Sequence, residues 1–324
     1  MSAIPGAANP DTGTKRTNRL LFILTAALVL LVVVLLPMAV ISLRNEVRDQ
    51  ARSNVYDFLT GQEFDFAATV PTDAAFVNIA VTAIDETRGL ATFTVSGNRA
   101  CNAPCAPVTA GLFAIGQDAS RRLGLPPSAT FAFPNDPGPY TETIELPVSG
   151  WPQRYPFDTY DLTLGLSAET TLPDGTRAPL TPDQVQAQHI FVTLEDNVSR
   201  LSMSAPVPVD PASVHSPGAS EAFFAVNRVS WQRPLYLRML TILLVALIAA
   251  SAVFALSLKD LEDLLLGIGG IILGVWGVRS IVVQTALPDL TWVDIALALI
   301  ILLLLLTLAI RAARRFYGLS GWGR

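Results

Sequence analysis

The sequence predicts an α+β membrane protein: an N-terminal transmembrane helix, an extracytoplasmic antiparallel β-sandwich and a C-terminal three-helix transmembrane bundle. Three observations carry that expectation. Three apolar runs, Met239–Leu258, Leu264–Leu287 and Thr291–Ile310, follow one another across very short polar links, and a fourth, Leu20–Leu43, holds no charge. A bilayer core of roughly 30 Å needs about 20 apolar residues at 1.5 Å each, so each run is long enough to span it. Between the first run and the other three lie many short alternating segments rich in Val, Ile, Thr and Phe, which read as strands. Composition agrees: 51% of the 324 residues are hydrophobic, 15% are charged, and the mean hydropathy is +0.45.

Taken in order, residues 1–19 are small, polar and end in Lys15, Arg16 and Arg19, so they read as a disordered cytoplasmic tail. Residues 20–43 form the first transmembrane helix. A cleaved signal peptide is the competing reading, but the apolar run is long for one and no small-residue cleavage pattern closes it. Residues 44–59 extend that helix in this reading, within an outer domain of residues 44–233. Strand candidates in that domain are Ala75–Ile84 and Leu90–Val95 around an Asp85–Gly89 turn, then Gly111–Ile115, Thr130–Phe133, Thr141–Val148, Tyr160–Leu166, His189–Leu194 and Ala222–Trp231. Asp118–Gly124 reads as a short helix, and Ala205–Pro217 as a Pro-rich edge loop or hairpin arm. This density of short strands points to a sandwich. Residues 235–258, 264–287 and 289–310 are the second, third and fourth transmembrane helices, and 311–324 is a basic tail.

Positive charge sets the expected orientation. Lys15, Arg16 and Arg19 precede the first helix, and Arg311, Arg314, Arg315 and Arg324 follow the last. Four crossings put both termini on one side, and the positive-inside rule makes it the cytoplasm, with the protein multi-pass in the cell membrane. The acidic link Asp260, Glu262, Asp263 would then also be inside, against the trend.

The net charge of −5 argues against a nucleic-acid partner, since phosphates need a basic surface. Two histidines and two cysteines without zinc spacing give no metal site and no cofactor. No Gly-x-Ser-x-Gly, Walker or His-Glu-x-x-His motif is present, so the reading is not an enzyme. Cys101 and Cys105 lie outside in this topology, where a local disulfide competes with two free thiols.

Gly267, Gly270, Gly274 and Gly277 recur at steps of three and four, which places them on one helix stripe. Asp260 and Asp263 continue it backwards and Gln284 forwards. Close helix packing and a pore-facing stripe with an acidic mouth both account for it. The pore requires a homo-oligomer. Arg279 points away from the stripe. It stands roughly 24 Å above Asp263 and Asp294 stands roughly 25 Å above Arg311, by helical rise, so the two are expected to pair within the membrane.

Three local features resemble pentameric ligand-gated ion channels. Tyr155-Pro156-Phe157-Asp158 is similar to the Phe-Pro-Phe-Asp loop of that family, Arg233-Pro234-Leu235-Tyr236 stands where a last strand meets the first channel helix, and Leu287–Asp294 resembles the linker before the third helix. The resemblance implies a β-sandwich above three helices, the second lining a pore in a pentamer, with Pro156, Phe157, Asp158 and Arg233 as a coupling loop and Asp158 close to Arg233. The layout also resembles uncharacterised bacterial multi-pass membrane proteins with an extracytoplasmic β-domain, which imply no known activity. The functional expectation is a non-catalytic binding, sensing or assembly module facing an extracytoplasmic ligand or protein. The alternative is an oligomeric ligand-gated-channel-like protein.

Overall fold

Alternation along the chain builds the β domain. In the computed structural model, which describes residues 11–50, 55–65, 75–99, 105, 107–116, 126–172, 174–181, 183–184, 190–214, 223–258, 260–282 and 290–316, the chain divides into two compact units, a β domain, chiefly Arg44–Pro234, and a helical unit. The β domain is a sandwich of two sheets. One has five strands in the order β1 (Val55–Asp57), β10 (Ile190–Asp196), β2 (Ala75–Asp85), β3 (Leu90–Arg99), β6 (Gly138–Pro147). The other runs β11 (Ser202–Met203), β13 (Ala225–Gln232), β8 (Thr159–Thr171), β4 (Val108–Ile115), β5 (Ser128–Ala132). The short strands β7 (Ser149–Gly150), β9 (Arg177–Pro179) and β12 (Val207–Pro208) attach to β8, β8 and β13.

Along β2, β3, β8 and β13 inward-facing residues alternate, as the period of two requires. Ile79 and Val81 of β2 stand opposite Val95 and Phe93 of β3, and on the other sheet Leu162 and Tyr160 of β8 stand opposite Val229 and Trp231 of β13. All of these are buried. Among the described residues the pairings are antiparallel, with one exception: β10 joins β2 in parallel, Ile190 beside Ala75. A second, smaller apolar cluster lies on the outer face of the second sheet. Phe113, Ile115 and Val226 are covered there by Val209, Val214 and Phe223. The Pro-rich arm therefore packs as a cover, built from β12 and a 3₁₀ turn at Pro211–Ser213.

The helical unit holds α1 (Asp11–Gln50), α2 (Leu235–Ser257), α3 (Leu261–Val282) and α4 (Trp292–Phe316). Each contains a stretch long and apolar enough to cross a membrane, which makes this a membrane-embedded protein. Ala252 of α2, Leu264 and Ile268 of α3 and Leu304 of α4 form a small core.

Two boundaries differ from the sequence expectation. The tail read as disordered over residues 1–19 is helical from Asp11, because α1 continues through the Lys15–Arg19 segment without a breaker. The extension expected over residues 44–59 stops at Gln50, and Val55–Asp57 is a strand instead. Tertiary pairing decides this: Val55, Tyr56 and Asp57 complete the ladder of β10 opposite Glu195, Leu194 and Thr193, and Val55 and Tyr56 bury their side chains. The helix expected at Asp118–Gly124 lies outside the described residues.

Candidate functional site

The site grows from the turn between β2 and β3. Asp85 accepts backbone N–H bonds from Thr87 at 3.0 Å and Arg88 at 2.9 Å, and Gly89 closes the turn at φ +63°, a backbone that favours glycine. This self-contained turn holds Glu86 at its tip. The loop before β8 supplies the next members. A 3₁₀ turn at Pro152–Arg154 leads into Tyr155 and a cis Tyr155–Pro156 bond, and Tyr155, Pro156 and Asp158 turn inward. The end of β13 supplies Arg233, one residue past the strand and two before α2 begins at Leu235.

These elements meet at one guanidinium. Arg233 Nε donates to both oxygens of Asp158, at 3.2 and 3.0 Å, and Nη2 lies 2.9 Å from Asp158 Oδ2. Nη2 also pairs with Glu86 Oε1. The flat guanidinium sits over the Tyr155 ring, 5.0 Å from its centroid. Asp158 and Arg233 are buried, and the hydroxyl of buried Tyr160 faces the two carboxylates. Two acids share one cation, so the cluster carries an excess of buried negative charge. Burial accordingly pushes Glu86 above its ordinary value, with the neighbouring Asp158 adding to the rise and Arg233 opposing it. Burial acts against the charged form of Arg233, yet the bond to Asp158 and the field of Glu86 hold it above its ordinary value. Burial and both acids raise Tyr160 as well. The arrangement has a permanently charged centre held by two acceptors, with the Tyr160 hydroxyl beside them.

The other sequence-singled residues fall as follows. Arg279 Nε donates to Asp294 Oδ1 at 2.6 Å, with Arg279 45% exposed and Asp294 11%. Asp294 Oδ2 accepts from Thr291 N and Oγ1 at 3.1 and 2.9 Å, and Asp294 N donates back to Thr291 Oγ1 at 3.2 Å. Thr291 and Asp294 are thus a capping box opening α4. Gly267 is the one stripe glycine against a neighbour: a Cβ added there would lie 3.5 Å from Ala255 Cβ of α2. Among the described residues Gly270, Gly274 and Gly277 meet nothing, and close packing there explains Gly267 alone. Asp260 and Asp263 are exposed, and Gln284 lies outside the described residues. Cys101 also lies outside them, so its pairing with Cys105 does too, while Cys105 is buried and its N–H donates to Asn135 O at 2.9 Å. Among the described residues no group of His, Cys, Asp and Glu could hold a metal ion.

Sequence reasoning missed Glu86 and Tyr160, and gave Tyr155 no part in holding Arg233. Glu86 and Arg233 are 147 residues apart, and nothing local marks which hairpin tip reaches the last strand. It also missed Arg311, whose guanidinium donates to the carbonyls of Leu258 and Leu256 at the end of α2. Those carbonyls have no partner within their own helix, and a cation is the natural cap.

Residues 65–216 match the model of a family described as a domain of unknown function, DUF4436. The match contains Glu86, Tyr155 and Asp158 and stops before Arg233. No curated protein matches the chain.

Proposed function

We propose that the β domain is a non-catalytic sensing module whose state is passed to the membrane helices through Arg233. One observation carries this reading: Arg233 is locked by Asp158 and Glu86 from two separate loops of the sandwich, and two residues later the chain becomes α2. A ligand or protein that strains either loop would alter the grip on Arg233, and only Pro234 separates Arg233 from α2. The resemblance to ligand-gated channels gives Asp158 and Arg233 a coupling role. In this reading the β domain is extracytoplasmic, both termini are cytoplasmic, and Cys101 and Cys105 form a local disulfide. An impermeant thiol label should then react with the chain in intact cells only after mild reduction.

The test of coupling is hydrogen exchange on the full chain in a bilayer. Asp158→Asn should change exchange in the first turns of α2, Leu235–Thr241. Val95→Ala, a core change away from the cluster, should leave those turns as they are even where it weakens the sandwich equally. Equal effects of the two variants on α2 would remove the coupling reading.

A channel-like oligomer is the second reading. It is favoured by the open face over Gly270, Gly274 and Gly277, a surface that the described residues of one chain leave uncovered. Mass in detergent and single-channel recording test it, and a stable monomer without conductance would remove it.

A further inference from the structure

The loop between β7 and β8 has an outer side that the cluster does not use. Along Trp151–Asp158 exposure recurs at every third residue. Trp151, Arg154 and Phe157 face outward, while Tyr155, Pro156 and Asp158 are buried. Successive turns create this spacing: Arg154 N–H donates to Trp151 O at 3.0 Å and Phe157 N–H to Arg154 O at 2.8 Å, and side chains three apart eclipse in such geometry. Arg154 stacks over the Trp151 ring at 5.5 Å from its centroid. Trp151 is 52% exposed and Phe157 53%. Among the described residues of the sandwich, no other tryptophan or phenylalanine is exposed.

Two large aromatic rings held in water by a rigid loop need an explanation. The rigidity itself is secured from beneath, because Asp158, next to Phe157, is clamped by Arg233. Arg233 stands two residues before a membrane-crossing helix, a tether of about 7 Å at 3.3–3.6 Å per residue. The first turn of that helix carries Tyr236 and Arg238, residue types that settle at headgroup level. Trp151, Arg154 and Phe157 make a similar chemical set: an amphipathic indole and an apolar phenyl ring for the acyl boundary and a guanidinium for phosphate.

We infer that Trp151, Arg154 and Phe157 form a bilayer-surface anchor, the two rings entering the interface and Arg154 taking an anionic phospholipid headgroup. The anchor would hold the acid–arginine cluster at the membrane surface.

Bromolipid quenching of tryptophan tests this in the full chain, reconstituted in vesicles with and without anionic phospholipid. The Trp151 signal is taken as the difference between the wild-type protein and Trp151→Phe. A second reporter, Phe157→Trp in the Trp151→Phe background, keeps the test open if one ring matters for folding. The expected result is loss of most of this emission with lipids brominated near the headgroup, less with bromine deep in the chain, and little with aqueous acrylamide. Quenching by acrylamide without quenching by bromolipid would overturn the anchor. Emission insensitive to both would overturn it in favour of a protein partner or a second copy over the loop. Quenching equal with and without anionic lipid would overturn the role of Arg154.

Discussion

The sandwich and the helical unit use the same apolar residues in opposite directions. In the sandwich, Phe58, Leu112, Leu194 and Trp231 are sealed inside. In the helices, Leu266 and Leu273 are 73% and 75% exposed, and Trp276 is exposed beside them. The difference is the solvent. Water drives apolar side chains together, at roughly 25 cal/mol per Å² of area removed. Lipid tails are as apolar as leucine, so helices in a bilayer gain little by hiding it and are held by small-residue contacts and a few polar bonds. The polar bonds differ accordingly. Arg233 sits in a closed cage with two acids, whereas Arg279 makes one bond at 2.6 Å from a half-open position.

That contrast breaks hardest at Arg233. Arg233→Ala leaves Asp158 and Glu86 buried without their cation, and should cost the β domain about 3–5 kcal/mol. Calorimetric unfolding of the full chain would register it; a loss below about 1 kcal/mol would mean the cage is open to water.

Next comes a paired test inside one helix. Leu264 of α3 is buried against α2 and α4, and Leu266 faces outward. Leu264→Ala should cost about 2 kcal/mol or more, from the cavity it leaves. Leu266→Ala should cost far less. Similar losses, measured by unfolding in mixed micelles, would mean that Leu266 is covered in the assembled protein.

Glu86 gives the pH dependence. Its folded value is raised above the ordinary 4.5, so folding favours its protonated form. The stability it contributes is fully present below 4.5 and is lost as pH rises through the folded value. Glu86→Gln should therefore gain on the wild type as pH climbs from 4.5 toward neutrality. Arg233, Asp158 and Tyr160 are the charged and titratable groups facing it. A constant difference across that range would place the titration elsewhere.

The smallest effect is expected at the membrane pair. Arg279 holds Asp294 by one bond from a half-open position, so its loss should cost less than losing the Arg233 cage. Asp294→Ala should cost more than Arg279→Ala, because it also removes the capping box with Thr291. The double variant should be no worse than Asp294→Ala alone in folded yield. Simple addition of the two single effects would show that the pair contributes nothing.

The sequence by itself determined whatever depends on local spacing. Run length marked the four membrane helices, alternation marked β2 close to its final bounds and parts of β3, β6 and β8, and the Thr291-x-x-Asp294 spacing held α4's cap in plain view. Tertiary structure alone decided what depends on strand order. The parallel seating of β10 on β2, the strand at Val55–Asp57, the reach of Glu86 to Arg233 and the cap from Arg311 onto α2 all join residues far apart in the chain. A period of two or 3.6 tells which face a side chain occupies, but not which neighbour that face will meet. The neighbour is chosen only when the sheets and helices pack, by the burial each arrangement gains and the charges it must not leave unpaired.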